Sequence, residues 1–286
     1  MERISKNIKI ISLSVFIIIN IFIFYAIFQY HNNFLKVTFL NVGQGDAIFI
    51  ESPTGNQILI DGGPNKKILE ALGGAMPFYD RSIDAVLATH PDLDHIGGLP
   101  EVLNSYKVKE YFDNGVKSET DASKELAKDI SDKKITHSLL KRGELMDLGG
   151  GVFIEILFPF DVPDPKSKDT NEYSIVAKVY YGNTSFLLTG DAPIATEKLL
   201  VAYDGKRLAS DVLKVAHHGS KNSLSDAFLS AVSPKFSVIS VGKDNRYGHP
   251  NQEVLDFLGK INTKILETFI SGNICFYSDG TSITEE

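Results

Sequence analysis

Two histidines and two aspartates fall within six consecutive residues, His90-Pro91-Asp92-Leu93-Asp94-His95. They directly follow the apolar run 83–88, which predicts a buried strand, so they lie where a strand ends and a loop begins. His90, Asp92 and Asp94 are two residues apart and would share one side of an extended chain, whereas His95 points elsewhere. The segment therefore predicts a site for two metal ions, with His90 and Asp92 on one ion and Asp94 and His95 on the other. The alternative, a polar loop in which Asp94 caps the next helix, does not account for all four residues.

Polar residues also end three other predicted strands, namely Asp61, Asp191 and His217. Each alone would be an ordinary turn, cap or loop residue. If these strand ends cluster at one side of the fold, however, they complete the ligand set of the His90–His95 segment. A carboxylate is a natural bridge between two cations, and Asp191 is the candidate for that position.

This ligand set indicates hydrolysis. Two divalent ions about 3.5–4 Å apart lower the pKa of a shared water molecule and orient it for in-line attack. A set rich in carboxylates shifts the preference from zinc towards harder ions. One or two divalent ions, manganese or zinc with magnesium as a further option, are therefore the expected cofactors.

The rest of the sequence has to bring these strand ends together. Short apolar segments at 35–42, 47–51 and 57–60 predict an antiparallel meander, and the later strands alternate with helices. This order predicts an α+β fold in which two sheets lie face to face with helices outside. No internal repeat or low-complexity linker interrupts residues 34–286, which are predicted to form one domain.

Charge and cysteine content narrow the range of functions. The net charge is −7, and it is −9 without the first 33 residues, which argues against a broad nucleic-acid-binding surface. Metal ions can still bind a phosphate locally because they supply positive charge. Cys275 is the sole cysteine, which excludes an internal disulfide and a thiolate zinc site.

The first 33 residues are predicted to be a membrane anchor rather than part of the fold. Arg3, Lys6 and Lys9 precede the uncharged run 10–28, which is about long enough to cross a bilayer. The bulky residues after this run favour an uncleaved transmembrane helix over a cleaved signal peptide. If the segment were cleaved, the domain would be secreted. The positive charges place the N-terminus in the cytoplasm and the domain outside.

Six ordered motifs resemble the metallo-β-lactamase superfamily, whose signature is His-x-His-x-Asp-His, and within it the hydrolase domain of ComEC-type competence proteins. They span nearly all of residues 34–286. The matching stretches are Asn41-Val42-Gly43-Gln44-Gly45-Asp46-Ala47, Leu59-Ile60-Asp61-Gly62-Gly63, Thr89-His90-Pro91-Asp92-Leu93-Asp94-His95-Ile96-Gly97-Gly98, Leu187-Leu188-Thr189-Gly190-Asp191, Lys214-Val215-Ala216-His217-His218-Gly219-Ser220 and Tyr247-Gly248-His249-Pro250.

The resemblance implies a four-layer αββα sandwich, the metallo-β-lactamase fold, with the metal site at one edge. It implies that Asp191 bridges the two ions, that His217 or, less favoured, His218 is the last ligand, and that Asp61 and Asp46 orient the ligands. ComEC-type proteins also have a multi-helix membrane channel. Since this chain has one apolar run, it is expected to be a stand-alone relative of the hydrolase part.

Two departures from the family pattern concern the first ion. Asp92 stands where most of the superfamily has histidine, as it does in the ComEC-like branch. The family's third histidine belongs just before the strand predicted at 173–181, and Asn171 is the nearest polar residue there. The second ion, with Asp94 and His95, is therefore expected to be held more firmly.

The favoured function is a metal-dependent phosphodiesterase or nuclease that acts outside the membrane, with DNA as one possible substrate. Asp94, as a metal ligand, and a hydroxide that bridges the two ions would start the reaction, and His249 or His218 would protonate the leaving oxygen. Three polar residues are candidates for contacts to phosphate oxygens, namely Ser220, Asn222 and Ser223, although Ser223 would serve equally well as a helix N-cap.

Two alternatives remain open from the sequence. One is hydrolysis of another substrate, such as a cell-wall phosphodiester, a thioester, a β-lactam or another small molecule. The other is a non-catalytic, membrane-tethered binding protein in DNA uptake or envelope processes. The sequence implies no protein partner.

Overall fold

Two sheets face each other in the computed structural model, which describes residues 2–31 and 34–286, with side chains in the first helix at positions 7, 9 and 11–23. The strands are β1 (Leu35–Phe39), β2 (Ile48–Glu51), β3 (Gln57–Ile60), β4 (Ser82–Leu87), β5 (Lys107–Asp113), β6 (Thr136–Leu139), β7 (Leu145–Gly149), β8 (Val152–Phe158), β9 (Val176–Tyr181), β10 (Thr184–Leu188), β11 (Val212–Lys214), β12 (Phe236–Ile239), β13 (Lys264–Glu267), β14 (Ile274–Ser278) and β15 (Ile283–Glu285).

The helices lie mostly between strands of the parallel parts of the sheets. They are α1 (Glu2–His31), α2 (Lys67–Ala75), α3 (Leu93–Ile96), α4 (Leu99–Ser105), α5 (Asp121–Asp132), α6 (Ile194–Asp204), α7 (Asp226–Val232), α8 (Gln252–Lys260) and α9 (Thr268–Ser271). Short 3₁₀ segments are formed by Asn171–Tyr173, Gly205–Leu208 and Ala216–Gly219.

Each sheet contains a run of parallel strands. The first sheet has the order β15-β14-β1-β2-β3-β4-β5-β6, and β3 to β6 are parallel. The second has the order β13-β12-β11-β10-β9-β8-β7, and β10 to β13 are parallel. Because parallel strands end at one edge of a sheet, the polar residues that follow β3, β4, β10 and β11 are brought to common edges.

The strands alternate between two buried faces, which produces four layers. On β2, Ile48 and Ile50 pack against the other sheet, whereas Phe49 packs among the helices α2, α4 and α5. Helices α6, α7 and α8 cover the outer face of the second sheet in the same way. Strands buried on both faces have apolar residues at successive positions. The predicted α+β class with two facing sheets is confirmed.

Two strands were not predicted, and both are at sheet edges. Strands β7 and β15 have one neighbour each and are partly exposed, so their sequences lack the apolar run that marks the inner strands. The strand predicted from Tyr173 begins only at Val176, because Asn171–Tyr173 turns as a 3₁₀ segment.

Helix α1 contains the predicted anchor. The run 10–28 lies only partly among the described side chains, and its ends fall outside them. Among the residues that the structure describes, no helix is long and apolar enough to cross a membrane.

An aromatic cluster joins the two sheets. The Phe276 ring on β14 lies 6.0 Å from the rings of Phe39 and Phe186 and 5.2 Å from that of Phe236, measured between centroids. Phe276 and Phe39 belong to the first sheet, while Phe186 and Phe236 belong to the second, so the cluster spans the central core.

We expect Phe276→Ala to lower the free energy of unfolding by about 3–5 kcal/mol, because a large buried ring leaves a cavity between the sheets. Phe78→Ala is the control, since Phe78 is 86% exposed and its loss is expected to change stability by less than about 0.5 kcal/mol. Urea unfolding followed by circular dichroism measures both. Equal stability of the two variants would contradict this role for the cluster.

Candidate metal centre

Side chains from three strand ends meet in a buried centre. His90 and His95 follow β4, Asp191 follows β10, and His218 follows β11, and all four are at most 2% exposed. Close backbone approach makes this convergence possible. Gly190 has a φ of +49°, and a Cβ there would lie 2.2 Å from Ser174 Oγ, so only glycine fits before Asp191.

One carboxylate, Asp61, orients the first two histidines. Its Oδ2 accepts a hydrogen bond from His95 Nδ1 at 2.8 Å and another from the Thr89 hydroxyl at 2.7 Å. Since that hydroxyl donates to Asp61, it is left to accept from His90 Nδ1 at 3.0 Å. Both Nδ1 atoms therefore carry a proton, so Nε2 is the nitrogen of each ring that is directed at a metal.

His218 is oriented in the same way by a backbone carbonyl. Its Nδ1 donates to Ser240 O at 2.8 Å, a direction fixed by the carbonyl, which can only accept. Its Nε2 faces Asp94 Oδ2 at 3.4 Å and Asp191 Oδ2 at 3.6 Å. All three buried histidines thus direct their Nε2 atoms into one space.

The atoms that face this space have no hydrogen-bond partner among the described residues. These buried atoms are His90 Nε2, His95 Nε2, His218 Nε2 and Asp191 Oδ1. Unpaired buried polar atoms are costly, so their convergence calls for a cation that all of them can bind. Ligand atoms within 4.8 Å of one another form the groups His90–His95–Asp191, Asp94–His95–His218, Asp46–Asp61–His95 and Asp46–Asp191–His218.

The charges of the centre also favour a cation. Burial acts to lower the pKa of His218, but the charges of Asp191 and Asp46 outweigh it and raise the pKa to about 9. Burial also acts to lower the pKa of His95, but the charges of Asp191 and Asp61 outweigh it. The pKa of His95 therefore lies well above its usual range. A bound metal would take the place of the protons that these carboxylates hold on the Nε2 atoms.

His90 behaves differently from its neighbours. Burial, and then the positive charge of His95 at a ring-centroid distance of 4.0 Å, lower the pKa of His90 to about 3. A neutral imidazole is the form that binds a metal, so His90 is already in the ligand state.

The predicted first ion has a looser set of neighbours. His90 Nε2 lies 3.8 Å from Asp92 Oδ2, and the side chain of Asp92 is 39% exposed. Thr170 Oγ1 donates to Asp92 Oδ1 at 2.6 Å, which brings the adjacent Asn171 to this half of the centre. The loop before Asn171 thus supplies a contact to the site through Thr170. Asp92 is the N-cap residue of α3, but its side chain caps nothing, and neither does that of Asp94.

The structure places His218, rather than His217, in the mutually close groups. His217 Nε2 lies 3.7 Å from Asp191 Oδ2, and its side chain is 29% exposed. Both residues have positive φ values, +50° and +54°, which turn successive side chains in directions that an extended strand would not give. The resemblance implies His217 in preference to His218 as the last ligand, whereas this geometry favours His218.

The three predicted substrate-binding residues differ in their surroundings. Ser223 is buried, and its hydroxyl lies 2.8 Å from both Ala216 O and Ser220 O, so its proton is used inside the protein. Ser220 is buried and accepts from the backbone N–H of Asn222 at 3.3 Å. Asn222 is exposed. The N-cap of α7 is Ser225 and not Ser223.

His249 lies beside the centre. Its ring centroid is 5.8 Å from that of His217, and its buried Nδ1 has no hydrogen-bond partner among the described residues. Burial and then the charges of His217 and His218 lower its pKa.

Lys214 is a residue of the centre to which the sequence analysis assigned no role. It is fully buried, forms an ion pair with Asp46, and donates to Gly190 O at 3.2 Å. Its Nζ is 4.0 Å from Asp191 Oδ1. Asp46 is thereby held with its Oδ1 atom 3.4 Å from His218 Nδ1. An ionisable residue inside an otherwise apolar strand was the signal in the sequence.

A cavity of about 650 Å³ adjoins His90 and Pro91. Its walls are mostly apolar and include Val116, Leu126 and Ile130. The His90 half of the centre therefore has a neighbouring space of small-molecule size.

Comparisons with known proteins agree with this geometry. The family described as the metallo-beta-lactamase superfamily matches residues 40–121. ComE operon protein 3 of Bacillus subtilis is 34% identical over 257 residues, covering 84% of this chain and 32% of that protein. Competence protein ComA of Neisseria gonorrhoeae is 30% identical over 248 residues, covering 85% of this chain and 32% of its own length. The chain thus spans about a third of these relatives.

A solved structure has the same fold. The metallo-beta-lactamase fold protein YhfI from Bacillus subtilis superposes with a TM-score of 0.57 at 11% identity, covering 86% of this chain and 99% of that one. The resemblance indicated by the sequence motifs is confirmed.

We expect Lys214→Met to lower the free energy of unfolding by about 3–5 kcal/mol in the presence of EDTA, because it leaves Asp46 buried without its cation. Lys235→Met is the matched control, since Lys235 is 74% exposed in its 2.8 Å pair with Asp211 and is expected to cost less than about 1 kcal/mol. Guanidinium unfolding measures both. A Lys214 variant as stable as the parent would show that this ion pair is not needed.

Proposed function

Because the chain belongs to the metallo-β-lactamase superfamily, we propose that it is a metal-dependent hydrolase that acts on a phosphodiester, with nucleic acid as the first candidate substrate. The observation that supports it most is the convergence of the Nε2 atoms of His90, His95 and His218 with Asp191. Nitrogen and carboxylate ligands in this combination suit manganese or zinc, and magnesium to a lesser degree.

The residues that would hold the ions divide into two sets. Asp94, His95 and His218 would hold the second ion, while His90, with Asp92 and Asn171 close by, would hold the first. Asp191 occurs in groups with both His90 and His218, which suits a bridging ligand. When bound, such ions supply Lewis acidity and lower the pKa of a water molecule.

The roles of the remaining side chains follow from their contacts. His218 uses Nδ1 for Ser240 O and Nε2 for the centre, so it is engaged as a ligand. His249 has a free Nδ1 and is therefore the better candidate to give a proton to the leaving oxygen. Asp94, 31% exposed, is the carboxylate that can meet both the substrate and the second ion. Asn222 is the exposed candidate for a phosphate contact.

A phosphodiester is favoured over other substrates for two reasons. The ligand set is rich in carboxylates, which suits the harder ions that bind phosphate oxygens. The relatives also include a competence protein. Cell-wall phosphodiesters, thioesters and β-lactams remain as comparison substrates, and a non-catalytic binding role is the alternative of another class.

We expect the purified chain with Mn²⁺ to hydrolyse bis(p-nitrophenyl) phosphate or a short oligodeoxynucleotide, and the double variant Asp94→Ala/His95→Ala to retain below about 1% of the rate. The double variant loses ligands of the second ion, and with them several kcal/mol of transition-state stabilisation by the metal. Each increment of about 1.4 kcal/mol of activation free energy changes the rate tenfold. Gln252→Ala/Asp256→Ala, an exposed bonded pair on α8, is the matched control and should keep the parent rate.

Three outcomes would contradict the proposal. They are equal activity in the double variant, hydrolysis of a thioester or β-lactam alone, and no bound metal at saturating Mn²⁺ or Zn²⁺ by elemental analysis. The last of these would favour the binding role.

We further propose that the N-terminal segment attaches the chain to a membrane with the domain outside. The described part of α1 supports this by exposing large apolar side chains, among them Ile11 at 62%, Phe16 at 65% and Phe22 at 70%. Exposed apolar surface of this extent favours transfer into lipid.

We expect the full chain to sediment with membranes, and Phe16→Lys/Ile18→Lys to move to the soluble fraction, because each charge opposes insertion by about 2.5–3.5 kcal/mol. Protease treatment of intact cells should digest the domain. A parent chain found in the soluble fraction would contradict the membrane attachment. A domain protected from protease in intact cells would contradict its location outside.

A further inference from the structure

An aromatic stack leads from the protein surface to the metal centre. Tyr247 lies on His249 at a centroid distance of 5.7 Å with an interplanar angle of 22°. The Arg246 guanidinium carbon lies 5.0 Å from the centroid of the Tyr247 ring, and the guanidinium donates a hydrogen bond to the Tyr247 hydroxyl at 2.9 Å. We call Arg246, Tyr247 and His249 the Tyr247 platform.

The platform is held in a fixed position. Asn245 Nδ2 donates to Gly242 O at 2.9 Å and to His249 O at 2.6 Å, while its Oδ1 accepts from the backbone N–H groups of Tyr247 and His249. The start of the loop is fixed to the β1–β2 turn, since Gly242 N donates to Gln44 Oε1 at 3.2 Å. A rigid aromatic surface binds a ligand without a large loss of side-chain entropy.

The inner end of the platform reaches the centre. The His249 ring lies 5.8 Å from that of His217, and His217 Nε2 lies 3.7 Å from Asp191 Oδ2. A group that stacks on Tyr247 would therefore sit beside the candidate reaction site.

The outer end is open and carries local positive charge. Tyr247 is 52% exposed, and the exposed side chains of Lys243 and Arg246 flank it. Lys221 is exposed on the neighbouring loop, where its backbone N–H donates to Asn251 Oδ1 at 2.8 Å. This charge contrasts with the net charge of −7 of the chain. An exposed tyrosine alone would be unremarkable, but aromatic faces next to cations are the usual surface for unpaired bases.

We propose that the Tyr247 platform binds one unpaired base of a single-stranded polynucleotide and so places the adjacent phosphodiester at the metal centre. This rests on the proposed phosphodiesterase function and adds the substrate class to it. A base in a duplex is covered by its neighbours on both faces, so a single strand is the form that can stack here.

Binding of a phosphorothioate oligothymidylate that contains one 2-aminopurine, in the presence of Mn²⁺, tests the platform without turnover. We expect Tyr247→Ala to weaken binding about tenfold to hundredfold and to remove the quenching of 2-aminopurine fluorescence, which corresponds to loss of one base–aromatic stack. Tyr247→Phe should restore both. Tyr79→Ala is the control, because Tyr79 is also an exposed tyrosine, at 75%, and its ring contacts that of Phe78. Tyr79 precedes β4 and so lies at the opposite end of that strand from the centre.

Four results would overturn the platform: no binding by the parent, unchanged binding by Tyr247→Ala, an equal effect of that variant on a strand of abasic sites, and equally tight, Tyr247-dependent binding of a duplex. The two proposals can fail separately. Tyr247-dependent quenching in a chain that cleaves no phosphodiester supports the platform and rejects the phosphodiesterase. Cleavage that is unaffected by Tyr247→Ala on strands with and without bases rejects the platform alone.

Discussion

The hydrogen bond from His95 Nδ1 to Asp61 is the interaction on which the centre depends. Asp61 follows β3 in a left-handed conformation, with φ at +59°, and its backbone N–H is bound to Leu87 O at the end of β4. Its two oxygens then hold the Thr89 backbone and hydroxyl as well as His95. Through Thr89 the same carboxylate fixes the proton on His90, so one aspartate at a strand end decides the direction of two imidazoles.

A second constraint is the burial of so many charges together. Asp46, Asp61 and Asp191 are each at most 2% exposed, and Lys214 is the one lysine among the fully buried large side chains of the described residues. Buried carboxylates persist only where cations or hydrogen-bond donors compensate them. Lys214 compensates Asp46 permanently, whereas Asp191 has an oxygen without a hydrogen-bond partner among the described residues. The sheet thus supplies a fixed cation on one side of His218 and leaves the other side to an exchangeable one.

Sequence reasoning succeeded where the signal was local. Apolar runs that end in His90, Asp61 or Asp191 identified both the inner strands and the edge at which they meet. Sequence reasoning was weaker where the outcome depends on packing or backbone conformation. It did not predict the exposed edge strands β7 and β15. It also could not decide between His217 and His218, because that choice depends on two successive positive φ values. Lys214 and Thr89 were present in the quoted motifs, but their roles depend on contacts between distant strands.

The two halves of the centre differ in a way that bears on the substrate. On the His90 side, Asp92 is partly exposed and the neighbouring cavity has mostly apolar walls. On the His218 side, His95, His218 and Asp191 are buried, and the Tyr247 platform continues outwards with cationic side chains. A polyanion approaching a chain of net charge −7 is repelled everywhere except where cations lie close together. The side with Arg246 and Lys243 is therefore the favoured direction of approach, and it leads to the half of the centre whose ligands are most firmly held.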